Sequence, residues 1–360
     1  MNSIKKTILY NEHIKLEAKV LPYAGYLMPI NYPKGIKHEY LAIRKKVGIF
    51  DVSHMGEIKI KGDKSFDLLQ LLTSNDVAKL KEGDAQYSLI CNHNGGIMDD
   101  VIIYKININE YLLIVNASNC LKIFNWINEN NKFEVFVTNE TDKYSLIAIQ
   151  GPKSRELLND VFKQEIKLKF YKHQFIEYQA ENLLISRTGY TGELGFEILI
   201  DNNFIISLWN EIINKGAIPC GLAVRDILRM EMKYCLYGND IDEKTTPIEA
   251  GLNWVVSSKD KFIGKDKIRM QETRGVNKKL KPFILKDRGI PRKGYKIYNK
   301  EKEIGVVTSG TFSIGLNYGI GIGYIDSECE NENIFIDIRN KKYLAEVVKP
   351  PFIKNYSLHK

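Results

Sequence analysis

From about Leu280 to the C-terminus, short β-rich runs are punctuated by glycine and proline, and almost no helical periodicity remains. Upstream of that point strands and helices are mixed, and their order does not follow the regular alternation of a βαβ repeat. This contrast constrains the fold most. It argues against a doubly wound parallel sheet and favours an α+β architecture with a separate all-β unit at the end. The chain has 360 residues, more than one hydrophobic core comfortably serves, so two or three domains are expected.

Composition removes several functional classes. Hydrophobic residues are 44% and charged residues 27% of the chain, ordinary globular usage. No apolar run approaches the roughly 20 residues that span a bilayer, and Met1–Tyr10 has no apolar stretch of the secretory kind. A cytoplasmic protein with no membrane partner is expected. The net charge of +8 is spread along the chain, without the concentrated basic stripe of a nucleic-acid binder. The five cysteines (Cys91, Cys120, Cys220, Cys235, Cys329) are scattered and unpaired in spacing, as expected for reduced, mostly buried thiols. The histidines show no H-E-x-x-H or close pairing, so no metal site is expected.

Three segments hold candidate chemistry. In the first, the runs Tyr87–Asn92 and Ile97–Ile106 flank His93-Asn94-Gly95-Gly96, a hairpin signal because glycine accepts the positive φ of tight turns. Asp99 and Asp100 follow the turn. Side chains alternate along a strand, so Asp100, Ile102 and Tyr104 share one face and Asp99, Val101 and Ile103 the other. One aspartate is therefore directed inward, where burial shifts its pKa; the plainer alternative is that both cap turn amides. The second segment, Arg187–Glu197, is rich in glycine but lacks the G-K-[ST] ending of a phosphate loop. It reads as a turn holding Tyr190 against a ligand, with Glu193 and Glu197 as carboxylates for the N–H edge of a heterocycle, or as a plain hairpin loop. The third is the helical run Leu222–Leu236. Here Asp226 and Arg229 read as a surface i,i+3 pair, and Arg225 offers a planar guanidinium. Further helices are expected over Asp63–Ser74, after Gly151-Pro152, over Asn203–Lys215, and after a cap at Ser118.

Read together, these stretches resemble the glycine cleavage T-protein (aminomethyltransferase) family in order along the whole chain. The resemblance is carried by Gly25-Tyr26-Leu27-Met28-Pro29, Gly48-Ile49-Phe50-Asp51-Val52-Ser53-His54-Met55-Gly56 and Gly95-Gly96-Ile97-Met98-Asp99-Asp100. It continues through Gln150-Gly151-Pro152, Arg187-Thr188-Gly189-Tyr190-Thr191-Gly192-Glu193, Leu236-Tyr237-Gly238-Asn239-Asp240 and Thr308-Ser309-Gly310-Thr311-Phe312. The first of these departs from the family's usual G-W-E-M-P.

The resemblance implies a three-domain fold: a discontinuous folate-binding α+β domain (1–52 plus 140–250), a second α+β domain carrying the aspartate pair (53–139), and a C-terminal β-barrel-like domain (280–360). It implies transfer of a methylene carbon from the aminomethyl-dihydrolipoyl arm of H-protein to tetrahydrofolate, with release of ammonia, and needs neither metal nor flavin. By the same resemblance Asp100 is the catalytic carboxylate, Glu197 meets the pterin edge, and Arg225 lies near the folate's polar groups. Tyr87, Tyr104, Tyr190 and Tyr234 line the cavity with Met55 and Asn116 nearby, and Arg292 faces the lipoyl entrance. The alternatives are a non-catalytic folate-binding protein or another folate-dependent demethylase of the same fold. A flavin-dependent relative is excluded by the absence of a G-x-G-x-x-G segment after a first strand.

Overall fold

The computed structural model describes residues 4–259, 261–329 and 333–359. The segment with the aspartate pair forms a five-stranded antiparallel sheet in the order Ala85–Cys91, Ile97–Asn107, Glu110–Val115, Gly56–Lys61, Phe136–Asn139. Alternation along its strands splits the side chains as the sequence predicts. Val101 and Ile103 join Ile58, Ile60 and Leu113 on the face covered by the helices Ser65–Leu72 and Cys120–Glu129, whose Leu68, Leu69, Leu72, Ile123 and Ile127 complete that core. Ile102, Tyr104, Leu112 and Ile114 lie on the other face and pack against Phe50, Val52, Ala148, Leu199 and Leu228.

Those partners belong to a six-stranded sheet and to the helix Leu222–Glu231. The sheet runs His173–Tyr178, Glu181–Ser186, Gly195–Asp201, Tyr144–Gln150, Gly48–Asp51, Ile218–Pro219. All its neighbours are antiparallel except the last pair. Its outer face is sealed by Leu157, Leu158, Leu208, Trp209 and Ile212 from the helices Ser154–Phe162 and Ile205–Asn214. Each fully buried Leu or Ile in such a layer contributes roughly 1.5–3 kcal/mol. The two sheets therefore meet face to face, and the candidate site opens at the edge of their contact.

After residue 278 the chain forms a closed six-stranded barrel around Phe283, Leu285, Ile297, Val307, Ile325, Ile334 and Ile336. One of its strands, Lys302–Ser313, carries a bulge between Val307 and Ser309. The fold is thus α+β with a terminal barrel, as expected from the change in pattern near Leu280. Among the described residues no helix is long and apolar enough to cross a membrane.

Local expectations shift in instructive ways. The helix expected to run to Leu236 ends at Glu231, because Lys233 adopts a positive φ of 60° and the chain turns back. Ser118 caps nothing: a 3-10 turn spans Ala117–Asn119, and the following helix has no side-chain cap. Pro152 lies ahead of the helix Ser154–Phe162 rather than in its first turn. All five cysteines are free, with Cys91, Cys220 and Cys235 buried.

Candidate active site

The hairpin turn predicted at residues 93–96 joins the strands Ala85–Cys91 and Ile97–Asn107, with Gly95 at φ 80°. Its geometry is fixed from outside. Asn92 Oδ1 accepts from the Asn94 and Gly96 amides at 2.9 and 3.0 Å, and the Ile97 amide donates to the Asp242 and Thr245 carbonyls at 3.1 and 2.9 Å. A Cβ on Gly96 would lie 1.9 Å from the Glu243 carbonyl oxygen, so no side chain fits there.

The aspartates that follow occupy opposite faces. Asp99 is fully buried on the helix side, where it accepts from the Asn116 amide (3.0 Å), Asn116 Nδ2 (2.8 Å) and Asn119 Nδ2 (2.6 Å). Asp100 faces the other sheet. Its Oδ2 accepts from the Tyr87 hydroxyl at 3.0 Å and its Oδ1 from Asn116 Nδ2 at 2.8 Å. One side-chain amide thus holds both carboxyls. Asn116, expected among the ligand contacts, has its nitrogen engaged in orienting the pair. That engagement also explains the missing helix cap, since the polar side chains at the helix entrance turn towards Asp99.

Burial is the main force raising both aspartate pKa values above the ordinary carboxylate range; for Asp99 the neighbouring charge of Asp100 adds to it. No described cation pairs with either of them. Burial, reinforced by Asp100, holds the Tyr87 phenol well above its usual pKa, so Tyr87 is a donor at any working pH. Its ring stacks on Trp254 (centroids 5.6 Å apart, 16° between planes), which is 67% exposed at the rim.

Across from Asp100 stands an aromatic wall. Tyr190 stacks on Tyr234 (5.7 Å, 24°), and its hydroxyl donates to the Cys235 carbonyl. The Arg225 guanidinium lies 4.9 Å from the Tyr190 ring centroid and 5.9 Å from that of Phe50. Arg225 Nη1 is buried without a hydrogen-bond partner among the described residues, an unsatisfied donor suited to a ligand oxygen or nitrogen. Glu197, on Gly195–Asp201, accepts from Thr188 Oγ1 through Oε2. Tyr104 is buried with its hydroxyl against Ser186 Oγ (3.1 Å) and Thr188 Oγ1 (3.4 Å); it supports Glu197 from behind rather than presenting a polar group of its own. Met55 is half-buried in the layer between the sheets.

The structure corrects two readings. Glu193 is no ligand carboxylate: it is buried and taken up by Arg44 Nη1 (2.8 Å) and by the Ser357 amide (2.8 Å) and hydroxyl. Arg229 is not a surface partner of Asp226. It is 1% exposed and also binds Asp240, Tyr234 and Ser309. Arg292 lies away from the aspartates, in an open cleft of about 440 Å³ with Asp226, Ile227 and Phe312.

Sequence reasoning missed Trp254, Tyr171 and His54. Tyr171 is held at φ 58°. Its phenol is raised by burial and then by the nearby Tyr234, Tyr104, Glu197 and Asp100. His54 is 5% exposed, has no partner for Nδ1 among the described residues, and is edge-on to Tyr23 (5.7 Å). Burial pushes its pKa down to about 4. No pattern in the sequence marks these positions: Tyr171 and His54 lie in turns and Trp254 in a single 3-10 turn, Asn253–Val255, too short to show a period.

Residues 9–260 match the model of the GCVT N-terminal domain, and residues 278–354 match that of the glycine cleavage T-protein C-terminal barrel domain. The chain belongs to the glycine cleavage T-protein family. Aminomethyltransferases of Halothermothrix orenii and Flavobacterium psychrophilum are 44% and 45% identical to it, over 97% and 98% of this chain and all of theirs. The crystal structure of glycine cleavage system aminomethyltransferase T from Bartonella henselae superimposes with a TM-score of 0.93 at 32% identity, covering 99% of each chain.

Proposed function

We propose that the chain is the aminomethyltransferase of a glycine cleavage system, moving a methylene carbon from the aminomethyl-dihydrolipoyl arm of H-protein to tetrahydrofolate and releasing ammonia. The observation that carries this reading is the Asp100 carboxylate. It faces a wall of stacked tyrosines and is held by neutral donors, in a chain of this family.

The residues fit a reduced pterin. Its flat ring needs apolar cover on its faces and hydrogen bonds at its edge. Tyr190 and Tyr234 supply the cover, Glu197 Oε1 accepts from edge N–H groups, and Arg225 Nη1 supplies a donor that no other described residue uses. Asp100, with only hydroxyl and amide partners, keeps an unneutralised negative charge pointing where positive charge develops on the transferred carbon as the amine departs. A fixed charge in a water-poor site needs no solvent reorganisation, which makes such stabilisation effective. Tyr87 and Asn116 hold its orientation. Arg292, beside Asp226 in the cleft, is assigned to the face that meets the lipoyl arm.

The deciding experiment follows 5,10-methylenetetrahydrofolate and ammonia with purified, aminomethyl-loaded H-protein. Tetrahydrofolate-dependent release of both supports the proposal. Folate binding without turnover would instead make this a non-catalytic folate-binding member of the fold, and turnover of a free N-methyl amine would make it a demethylase.

A further inference from the structure

Arg229, on the helix that carries Arg225, is 1% exposed and commits its guanidinium to four partners within the protein. Its Nε donates to Asp226 Oδ1 (2.8 Å), Nη1 to the Tyr234 carbonyl (3.0 Å) and Asp240 Oδ2 (2.6 Å), and Nη2 to Ser309 Oγ (3.0 Å). Asp240 is equally closed in. Oδ2 also accepts the Leu236 amide at 2.9 Å, Oδ1 accepts Thr308 Oγ1, and the Asp240 carbonyl accepts the Tyr324 hydroxyl at 2.8 Å. Thr308 and Ser309 lie at the bulge of the barrel strand, where an extra residue re-aims side chains away from the regular alternation.

The segment gathered around this pair, residues 232–240, contains Tyr234, one half of the aromatic wall. Arg229 holds the carbonyl of Tyr234, whose ring stacks on Tyr190, and the next carbonyl, Cys235, anchors the Tyr190 hydroxyl. Two loops distant in sequence are thus brought into register through consecutive carbonyls, one fixed by Arg229 and the other by Tyr190. A planar guanidinium serves four acceptors at set angles, which a lysine ammonium cannot reproduce.

We infer that Arg229 and Asp240 are positioning residues: supported by the barrel bulge, they set the Tyr190–Tyr234 stack that grips the substrate's ring. This rests on the aminomethyltransferase reading above. The barrel, on this view, contributes to substrate recognition without lending the cavity a side chain from its bulge.

The test uses the full chain as wild type, Arg229→Lys, Arg229→Met and the double variant Arg229→Met/Asp240→Leu. For each, the Tm, the Kd for tetrahydrofolate measured anaerobically by calorimetry, and H-protein-dependent kcat and KM are determined. Arg229→Lys keeps the charge and is expected to stay folded, with Kd and KM for tetrahydrofolate raised at least fivefold and kcat changed less than threefold. Arg229→Met leaves Asp240 buried and unpaired, so its Tm falls as well. The double variant removes that unpaired charge: its Tm recovers towards wild type while its Kd stays at least tenfold weaker. If Arg229→Lys binds tetrahydrofolate like wild type, or the double variant regains affinity together with Tm, the pair is only structural and the inference falls. A wild-type protein that fails to bind tetrahydrofolate at all removes the functional reading itself, and this inference with it.

Discussion

Among the regions that bury carboxylates, two treat them in opposite ways. Where the barrel meets the rest of the chain, Glu231 accepts from Arg44 Nη2 (2.6 Å), the Tyr40 hydroxyl and Ser313, and Glu193 accepts from the other arm of Arg44. A single guanidinium is shared by both carboxylates there, every oxygen has a donor, and the arrangement is a joint. At the sheet edge, Asp99 and Asp100 are met, among the described residues, only by amides and a phenol. Neutral donors orient a carboxylate without cancelling its charge. Buried acid as such is therefore no mark of a site; these two regions differ in whether a cation stands beside the carboxylates.

The largest expected effect tests the joint. Arg44→Met leaves Glu193 and Glu231 buried without their cation and should lower stability by about 3–5 kcal/mol in urea unfolding, while turnover per folded molecule stays within about twofold. Loss of turnover at unchanged stability would erase the distinction drawn here. Asp100→Asn should behave inversely, with kcat falling about 10²–10³-fold, the range for removing one preorganised electrostatic group, and with Tm unchanged or higher.

The pH dependence follows in sign from the raised pKa of Asp100. Acidification through that pKa protonates the carboxylate, so the acid limb of kcat should lie above the ordinary value near about 4. Conversely, the fold loses stability as pH rises through the same pKa, a loss that Asp100→Asn should reduce, the remainder coming from Asp99, whose pKa is also raised. His54 gives a smaller, opposite effect. Its folded pKa of about 4 is depressed, so stability is full above about 6.5 and declines as pH falls towards 4, by up to about 3 kcal/mol. His54→Phe should flatten that decline in acid unfolding curves; an unchanged curve would mean that the imidazole is not held neutral. The smallest effect is expected from Tyr87→Phe, about tenfold in kcat for one hydrogen bond to a charged group, without a shift in Tm. A purely structural Tyr87 would move Tm instead.

Much of this was legible beforehand for identifiable reasons. The period-2 alternation from Asp99 to Tyr104 sorts the two aspartates onto different faces from sequence alone, and the glycines at 95 and 96 mark the turn that orients them. Gly and Pro punctuation after Leu280 announces the barrel. Arg229 misled because an i,i+3 Asp–Arg spacing is identical whether the helix face is wet or covered, and only the barrel decides which. Glu193 misled similarly: its partners, Arg44 and Ser357, come from opposite ends of the chain. Tyr171 and His54 sit in turns and Trp254 in a single 3-10 turn, where no periodicity reports direction.

The clamp on residues 92–96 has a consequence for evolution and for engineering. In a pleated ribbon, outward and inward are decided by odd and even count from the turn, and the Asp242–Thr245 segment freezes that count by gripping the Ile97 amide. Adding or deleting one residue in this loop would exchange the environments of two chemically identical neighbours, sending residue 100 towards Asn119 and residue 99 into the cavity. Parity, rather than residue type, sets one of these aspartates beside Tyr87 and its twin beside Asn119.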